Sequence, residues 1–316
     1  MTDLPVIVIA DPIDAQAVEL LRGGPCRVVD ASAGPEALAG ALPEAWGLVV
    51  RSRTKVTADL IARAPKLSII ARAGVGVDNV DLPAAGARGI RVVNAPGAAT
   101  QSVVELSVAL YLLLIRGLQG SIDSTRGGRW DRSTHGRELA GKTVGFVGYG
   151  RIARGIAAAL VPFRIVTRAY DPLLANSPDA TPLMGLDEVL SGSDIVSIHA
   201  ALTPQNHHLI NAAAIAKMRR GSYLVNVARG ALVDEAALFH ALESGHLGGA
   251  ALDVFETEPP TRTELLRHPR FIPTPHIGAA TVEGQARAGR DVVDELLRAL
   301  RGEPLMSQVP APGARP

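Results

Sequence analysis

The sequence predicts an α/β protein built from two doubly wound parallel-sheet lobes. Three observations support this fold class. The chain has 316 residues, enough for two domains of ordinary size. Strand-like apolar runs alternate with helix-like segments along its whole length, a pattern typical of parallel sheets covered by helices. Hydrophobic residues make up 47% of the chain, so it can bury a large core.

Short runs rich in Val, Ile and Leu predict the five strands of the first lobe. These strands are predicted at residues 6–10, 27–29, 48–50, 67–71 and 91–93. Helices are predicted between them at residues 13–22, 35–42 and 58–64. Because each strand is separated from the next by a helix-length segment, we expect a small parallel sheet that ends near Asn94.

The second lobe is expected to begin with a long apolar helix at residues 100–118, followed by a shorter one at 121–127. Its six strands are predicted at residues 143–147, 165–170, 195–198, 223–226, 249–254 and 271–272. A helix is predicted directly after the first of these strands, at residues 151–160. A long amphipathic helix at residues 282–300 ends the predicted elements.

The segment that begins at Gly148 has the pattern of a dinucleotide-binding turn. Gly148 allows a sharp turn out of the strand, and Gly150 allows the backbone to approach a pyrophosphate at the amino end of the next helix. Asp171 ends the following strand, where its carboxylate can accept hydrogen bonds from the adenosine ribose hydroxyls. Because that carboxylate would repel a 2′-phosphate, the pattern predicts NAD rather than NADP.

Three polar side chains follow successive predicted strands further along the chain. Arg229 could bind a substrate carboxylate, His276 could transfer a proton, and Glu258 could orient that histidine. Taken singly, each has an ordinary interpretation as a capping, surface or loop residue. Because the carboxyl ends of parallel strands meet at one edge of a sheet, their joint placement favours an active site.

A second glycine pair, in Gly74-Val75-Gly76, follows a strand of the first lobe. No helix pattern opens directly after it, as a second dinucleotide site would require. The pair therefore favours a turn whose backbone N–H groups bind an anion.

Composition and charge exclude several other classes of protein. A net charge of +1 argues against a nucleic-acid surface. A single cysteine, Cys26, excludes an internal disulfide framework and fits a reducing compartment. No signal peptide is expected at the N-terminus, and the longest apolar stretch, residues 103–115, is too short to span a bilayer. We therefore expect a cytoplasmic protein with a small-molecule substrate, without nucleic-acid or membrane partners and without a metal.

With these residues in place, the chain resembles the D-isomer-specific 2-hydroxyacid dehydrogenase family, and within it the catalytic region of the 3-phosphoglycerate dehydrogenases. The most specific segments are RAGVGVDNVD at 72–81, NVARG at 226–230, ALDVFETEP at 251–259 and PHIGA at 275–279. The resemblance implies that Arg229, Glu258 and His276 form the catalytic set. It also implies a Rossmann NAD-binding domain, residues 96–283, inserted into a smaller flavodoxin-like substrate domain, residues 1–95 and 284–316.

The resemblance implies further contacts that the residues alone do not establish. Cofactor contacts are implied at Arg151, Ile152, Ala200, Val227, Ala228, Asp253 and Gly278. Substrate contacts are implied at Arg51, Arg72, Gly74, Val75, Gly76 and Arg132, where the arginines suit a phosphate. A homodimer through the NAD-binding domain is also implied, with the helix at 100–118 either in that interface or a plain core helix.

The sequence leaves more than one candidate for the identity of the substrate. Ala99, Ala201 and Asn206 stand where the family commonly has Asn, Pro and Thr, which puts the identity of the substrate in doubt more than the reaction. The leading expectation is NAD-dependent oxidation of D-3-phosphoglycerate, which would place the protein in serine biosynthesis. The alternatives are a glyoxylate or hydroxypyruvate reductase, another D-2-hydroxyacid dehydrogenase, or an NAD(H)-sensing protein similar to the C-terminal-binding-protein corepressors.

Overall fold

The computed structural model describes residues 4–133 and 135–310. Residues 1–3, which begin the N-terminal segment where no signal peptide is predicted, lie outside the described residues. The chain divides into two compact units, the first formed by Met1–Ala99 with Ala279–Pro316 and the second by Thr100–Gly278. In chain order, the second unit is therefore inserted into the first.

The first unit contains a five-stranded parallel sheet. Its strands are β1 (Val6–Ile9), β2 (Arg27–Asp30), β3 (Ala45–Val50), β4 (Ile69–Arg72) and β5 (Arg91–Asn94). They pair in the order β2-β1-β3-β4-β5, and every pairing is parallel. This is the flavodoxin-like strand order, which confirms the predicted class for this lobe.

The second unit contains a six-stranded parallel sheet. Its strands are β6 (Thr143–Val147), β7 (Val166–Tyr170), β8 (Ile195–Ile198), β9 (Tyr223–Asn226), β10 (Gly249–Leu252) and β11 (Phe271–Pro273). They pair in the order β11-β10-β9-β8-β6-β7. Because β6 lies between β7 and β8, the chain reverses its direction of winding there. The carboxyl ends of β6 and β8 therefore flank a topological switch point, where open α/β sheets bind ligands.

Twelve helices surround these strands in the described part of the chain. In the first unit they are α1 (Ala15–Arg22), α2 (Pro35–Ala41), α3 (Ala58–Ala62), α4 (Leu82–Ala87) and, after the second unit, α12 (Val282–Leu300). In the second unit they are α5 (Thr100–Arg116), α6 (Leu118–Arg126), α7 (Arg151–Ala159), α8 (Leu186–Gly192), α9 (Ala212–Lys217), α10 (Glu235–Glu243) and α11 (Thr263–Leu266).

Each unit has its own apolar core. In the first, α12 returns to the sheet and buries Val292 and Leu296 completely against residues of α1, β1 and β4. In the second, β8, β9 and β10 contribute fully buried side chains to a cluster with α9 and α10. Helix α5 packs closely on α7 at Gly155. A Cβ atom at that position would lie only 2.8 Å from Val104 Cγ2. The apolar strand runs of the sequence are thus explained by burial on both faces of each sheet.

Several predicted helix boundaries are wrong by two or three residues, among them the end of the helix predicted at 58–64 and the start of the helix predicted at 121–127, and two others have a clear local reason. The first helix begins at Ala15 rather than residue 13, because Asp14 caps it by accepting hydrogen bonds from the backbone N–H groups of Gln16 and Ala17. The long helix ends at Arg116 rather than residue 118, because Gly117 adopts a left-handed conformation with φ 58°. Within the described residues, α5 and α6 have the length and apolarity to cross a membrane only as a pair bent by 71°, and no single helix has both.

Candidate active site

Three candidate catalytic side chains follow three neighbouring strands of the second unit. Arg229 follows β9, Glu258 follows β10 and His276 follows β11. These strands are adjacent in the sheet, in the order β11-β10-β9. Since all of them are parallel, the three side chains belong to loops at the same edge of the sheet.

His276 and Glu258 form a direct pair. The Nδ1 atom of His276 lies 2.8 Å from Oε2 of Glu258, and Oε1 of Glu258 accepts a hydrogen bond from the backbone N–H of Phe255 at 3.2 Å. The two side chains are 51% and 40% exposed, so the imidazole can be reached by a ligand. His276 also has a left-handed backbone with φ 54°, which non-glycine residues seldom adopt outside turns and functional sites.

Asp253 holds the loop that contains His276. This carboxylate is 1% exposed and lies directly after β10. Its Oδ1 accepts hydrogen bonds from Thr274 Oγ1 at 2.6 Å and from the backbone N–H of Ile277 at 2.9 Å. Its Oδ2 accepts one from the backbone N–H of Gly278 at 2.8 Å. One buried side chain thus holds both sides of His276, through the Thr274 hydroxyl before it and the backbone of Ile277 and Gly278 after it.

Arg229 lies in a loop that is ordered by Asn226, the last residue of β9. Asn226 is fully buried, donates from Nδ2 to the carbonyl of Arg229 at 2.8 Å and accepts from the backbone N–H of Ala228 at 3.0 Å. The guanidinium of Arg229 donates to the carbonyl of Ala228 at 2.7 Å. A planar guanidinium next to the His276 and Glu258 loops could bind a carboxylate with two parallel hydrogen bonds.

The turn after β6 fits a dinucleotide. Gly148 has φ 88°, and a Cβ atom there would lie 2.6 Å from the backbone nitrogen of Ala200. Gly150 begins α7 without a side-chain cap, and no atom lies within 4 Å of the place its Cβ would take. The side chain of Tyr149 is buried, with its hydroxyl bonded to Thr181 at 2.7 Å. The first N–H groups of α7 are therefore accessible to a pyrophosphate.

Asp171 stands directly after β7, as a ribose-binding carboxylate would. Its Oδ2 accepts a hydrogen bond from the backbone N–H of Tyr149 at 2.8 Å, and Oδ1 accepts one from Leu173 at 3.0 Å. These bonds hold the carboxylate beside the glycine turn. The residues present therefore fit an NAD molecule, with Gly148 and Gly150 near the pyrophosphate and Asp171 near the adenosine ribose.

The other predicted cofactor residues lie near the carboxyl ends of the same strands. Arg151 and Ile152 begin α7, Ala200 follows β8, Val227 and Ala228 follow β9, Asp253 follows β10 and Gly278 follows β11. A Cβ atom at Gly278 would lie 3.1 Å from Asp253 Oδ2, so the turn there is tightly packed.

The predicted substrate residues belong to both units, and five of the six lie in the first. Arg51 follows β3, and its backbone N–H donates to Asp11 Oδ2 at 2.7 Å. Arg72 ends β4, and a Cβ atom at Gly74 would lie 1.7 Å from its Nη1, so the guanidinium lies directly over Gly74. Val75 is exposed, and Gly76 continues the turn. Arg132 is an exposed residue of the second unit.

Two buried polar residues at strand ends, Asp11 and Asn226, are not among the functional residues that the sequence predicts. Asp11, after β1, also accepts hydrogen bonds from Thr54 and Arg53. Burial raises its pKa, but these bonds and those from the backbone outweigh burial and leave the pKa below its ordinary value. Asn226 is the other group. The signal that could have indicated both is a short polar side chain directly after an apolar strand.

A buried hydrogen-bond network also connects α5 to the end of β8. Tyr111 donates to Ser197 Oγ at 2.6 Å, and Ser197 Oγ lies 2.8 Å from Nε2 of His199. The His199 ring also packs on Phe146, with ring centroids 5.9 Å apart. Burial lowers the pKa of His199 to about 3, so its imidazole is neutral near neutral pH.

Of the departures from the family pattern, Asn206 has a clear structural role. Its Oδ1 accepts a hydrogen bond from the backbone N–H of Thr203, and its Nδ2 donates to the carbonyl of Ala201, both at 2.7 Å. It therefore closes the loop after β8 on itself. Ala99 is buried, with 5% of its surface exposed.

Comparison with known proteins adds independent observations. Residues 108–278 match the family model described as D-isomer specific 2-hydroxyacid dehydrogenase, NAD binding domain. The D-3-phosphoglycerate dehydrogenase of Mycobacterium leprae is 46% identical over 309 residues, which are 95% of this chain and 58% of that protein. The hydroxypyruvate reductase of Thermotoga maritima is 41% identical over 295 residues, 92% of this chain and 96% of that protein.

Among solved structures, the TT0316 protein from Thermus thermophilus matches with a TM-score of 0.89 and 35% identity, over 96% of this chain and 100% of that one. The chain therefore spans nearly all of the reductase but only 58% of the length of the Mycobacterium leprae dehydrogenase.

Proposed function

Since this chain belongs to the D-isomer specific 2-hydroxyacid dehydrogenase family, we propose that it interconverts a D-2-hydroxy acid and its 2-keto acid with NAD. The observation that supports this most directly is the 2.8 Å pair of His276 and Glu258, next to the Arg229 loop. A proton-transfer group, a carboxylate that orients it and a cation for a substrate carboxylate are the groups that this reaction needs.

The roles of the residues follow from their contacts. With Nδ1 hydrogen-bonded to Glu258, His276 presents Nε2 to the substrate. In oxidation Nε2 accepts the proton of the substrate hydroxyl, and in reduction it returns that proton. Glu258 stabilises the resulting imidazolium, and Arg229 binds the substrate carboxylate. Bound NAD supplies the hydride chemistry.

For the substrate we propose D-3-phosphoglycerate, with hydroxypyruvate or glyoxylate as the alternative. The 46% identity to a D-3-phosphoglycerate dehydrogenase supports the first, together with the predicted phosphate-binding arginines Arg51, Arg72 and Arg132. The 41% identity to a hydroxypyruvate reductase of similar length supports the alternative. With the first substrate, the enzyme would serve serine biosynthesis in the cytoplasm.

We also propose a homodimer formed through the second unit. The large apolar side chains exposed on this unit include Ile122 at 39% and Trp130 at 81%, which a second copy would cover. Helix α5 can contribute less to the proposed interface, because eight of its residues are already buried. Size-exclusion chromatography with light scattering measures the mass, and a monomer at all concentrations would contradict this proposal.

The first experiment is steady-state NADH absorbance with NAD and D-3-phosphoglycerate, D-lactate or D-glycerate, and with NADH and hydroxypyruvate or glyoxylate. Turnover of the phosphorylated acid alone would support the proposed substrate, and turnover of unphosphorylated acids alone would support the alternative. His276→Ala should abolish turnover and leave NAD binding nearly intact, whereas His240→Ala on α10 should leave both turnover and NAD binding intact. Full activity of His276→Ala would refute the mechanism, and NADH-dependent partner binding without any turnover would favour the sensing role.

A further inference from the structure

Tyr149 lies between the two glycines of the turn that follows β6. It is 1% exposed, and its ring packs on Phe146 of β6 with ring centroids 5.6 Å apart. Gly148 and Gly150, on either side of it, have no side chain to hold the turn, and glycine has more backbone freedom than any other residue. Tyr149 is therefore the residue whose side chain can anchor this turn.

The backbone and the hydroxyl of Tyr149 both contact the segment that follows β7. The backbone N–H donates to Asp171 Oδ2 at 2.8 Å. The hydroxyl lies 2.9 Å from Asp179 Oδ2 and 2.7 Å from Thr181 Oγ1. The glycine turn and the segment after β7 are thus joined at two points, and one of these points is the carboxylate predicted to bind the adenosine ribose.

The directions of the hydroxyl hydrogen bonds follow from the charges of the groups. Burial raises the pKa of Tyr149 to about 12, so its hydroxyl keeps its proton near neutral pH. Burial also raises the pKa of Asp179, but hydrogen bonds, among them those from Ser177 and Tyr149, outweigh burial and leave it below its ordinary value. Asp179 can therefore only accept, and it takes the Tyr149 proton. Thr181 in turn donates to the Tyr149 oxygen, and Thr167, 3.1 Å from Thr181, donates to Thr181.

We propose that Tyr149 is a positioning residue for the adenosine half of NAD and that it acts through its hydroxyl. The hydroxyl holds the glycine turn against the segment that contains Asp171, so the N–H groups for the pyrophosphate and the carboxylate for the ribose are in place before the cofactor binds. A site that is already formed loses less conformational entropy on binding. The inference rests on the proposed function only in placing NAD at this turn, and it does not depend on which acid is oxidised.

Isothermal titration of NAD and of ADP into the purified protein tests this role. Tyr149→Phe removes the hydroxyl and keeps the ring, so the dissociation constants of NAD and ADP should both rise about three- to tenfold, the loss expected for one hydrogen bond. At saturating NAD, kcat should stay close to that of the wild-type protein, because the hydroxyl touches none of the reacting groups. Tyr223→Phe, at the amino end of β9, is the matched control and should leave both dissociation constants unchanged.

Variants of the acceptor show whether the hydroxyl acts through Asp179. Asp179→Ala removes the acceptor and should weaken NAD binding about as much as Tyr149→Phe does. Asp179→Asn still offers a side-chain oxygen and should keep most of the affinity. The double variant with Tyr149→Phe and Asp179→Ala should bind NAD no more weakly than the weaker single variant, because both substitutions remove the same hydrogen bond.

Urea unfolding separates a loss of affinity from a loss of stability. Wild-type affinity for NAD in Tyr149→Phe, together with a lower free energy of unfolding, would give the hydroxyl a structural role alone and overturn the proposal. A fall in kcat without any change in the dissociation constants would overturn it as well. So would wild-type affinity in Asp179→Ala, even if Tyr149→Phe does not fold. Failure of the wild-type protein to bind NAD would instead refute the proposed function, and this inference with it.

Discussion

Gly230 lies so close to Phe255 that a Cβ atom at residue 230 would fall 1.9 Å from the Phe255 carbonyl carbon and 2.0 Å from its oxygen. Residue 230 directly follows Arg229, and residue 255 begins the loop that leads to Glu258. The two loops therefore touch backbone to backbone. Because no side chain fits between them, this contact fixes the position of Arg229 relative to Glu258.

Gly230→Ala should therefore separate these two loops. The added methyl group meets backbone atoms, which cannot rotate away, so we expect a loss of about 1–3 kcal/mol in the free energy of unfolding and a large drop in kcat/KM. Gly120→Ala in α6 is the matched control, because its Cβ meets no atom within 4 Å and alanine favours a helix. Urea unfolding and steady-state kinetics measure both effects, and wild-type activity in Gly230→Ala would contradict the importance of the contact.

Glu258→Gln tests the charge of the carboxylate rather than its shape. A glutamine oxygen can still accept the hydrogen bond of His276 Nδ1, but it no longer stabilises a positive imidazolium. We expect kcat to fall about ten- to a hundredfold, the effect of weakening one charge-assisted hydrogen bond. The dissociation constant of NAD, measured by fluorescence quenching, should not change. Glu264→Gln on α11 is the control, and equal kcat values in the two variants would remove Glu258 from the mechanism.

Asp253→Asn should act on His276 through the loop between them. Asp253 accepts three hydrogen bonds with two oxygens, and an asparagine amide group would face at least one of the donors. We expect a loss of about 1–3 kcal/mol in the free energy of unfolding and a clear decrease in kcat. Thr274→Val removes only the hydrogen bond of the Thr274 hydroxyl, so it should lower the free energy of unfolding and kcat by less than Asp253→Asn does. A variant Asp253→Asn with normal kcat and weak NAD binding would instead make Asp253 a cofactor contact alone.

The sequence was sufficient to predict both sheets. All eleven strands coincide with predicted runs, and the fully buried ones, such as β1, β6 and β8, do so because strands buried on both faces of a parallel sheet are short and apolar. Helices α4, α8, α9, α10 and α11 have no predicted counterpart. They have between four and nine residues, too few for a clear apolar period.

The sequence predicts which residues form the candidate site, but it does not predict the contacts that hold them in place. A strand followed by a polar residue can be read locally, and Arg229, Glu258 and His276 were found in this way. The three bonds of Asp253 and the contact of Gly230 with Phe255 join residues 21 to 25 positions apart. Tyr111 and Ser197 are 86 positions apart. Such pairs depend on how strands and loops assemble, which no local pattern contains.

His199 gives a pH dependence with a definite sign. Its folded-state pKa is lowered by burial to about 3 from an ordinary 6.5, so as the pH falls between these values the unfolded chain binds a proton that the folded protein does not. The resulting contribution to stability is complete above pH 6.5 and is lost progressively towards pH 3. His199→Gln cannot bind this proton, and its amide can still bond to Ser197. As the pH falls from about 7 to about 5, the free energy of unfolding of His199→Gln should therefore rise by up to about 2 kcal/mol relative to that of the wild-type protein. Urea unfolding at both pH values measures this difference, and a constant difference would show that the folded protein protonates His199 as readily as the unfolded chain does.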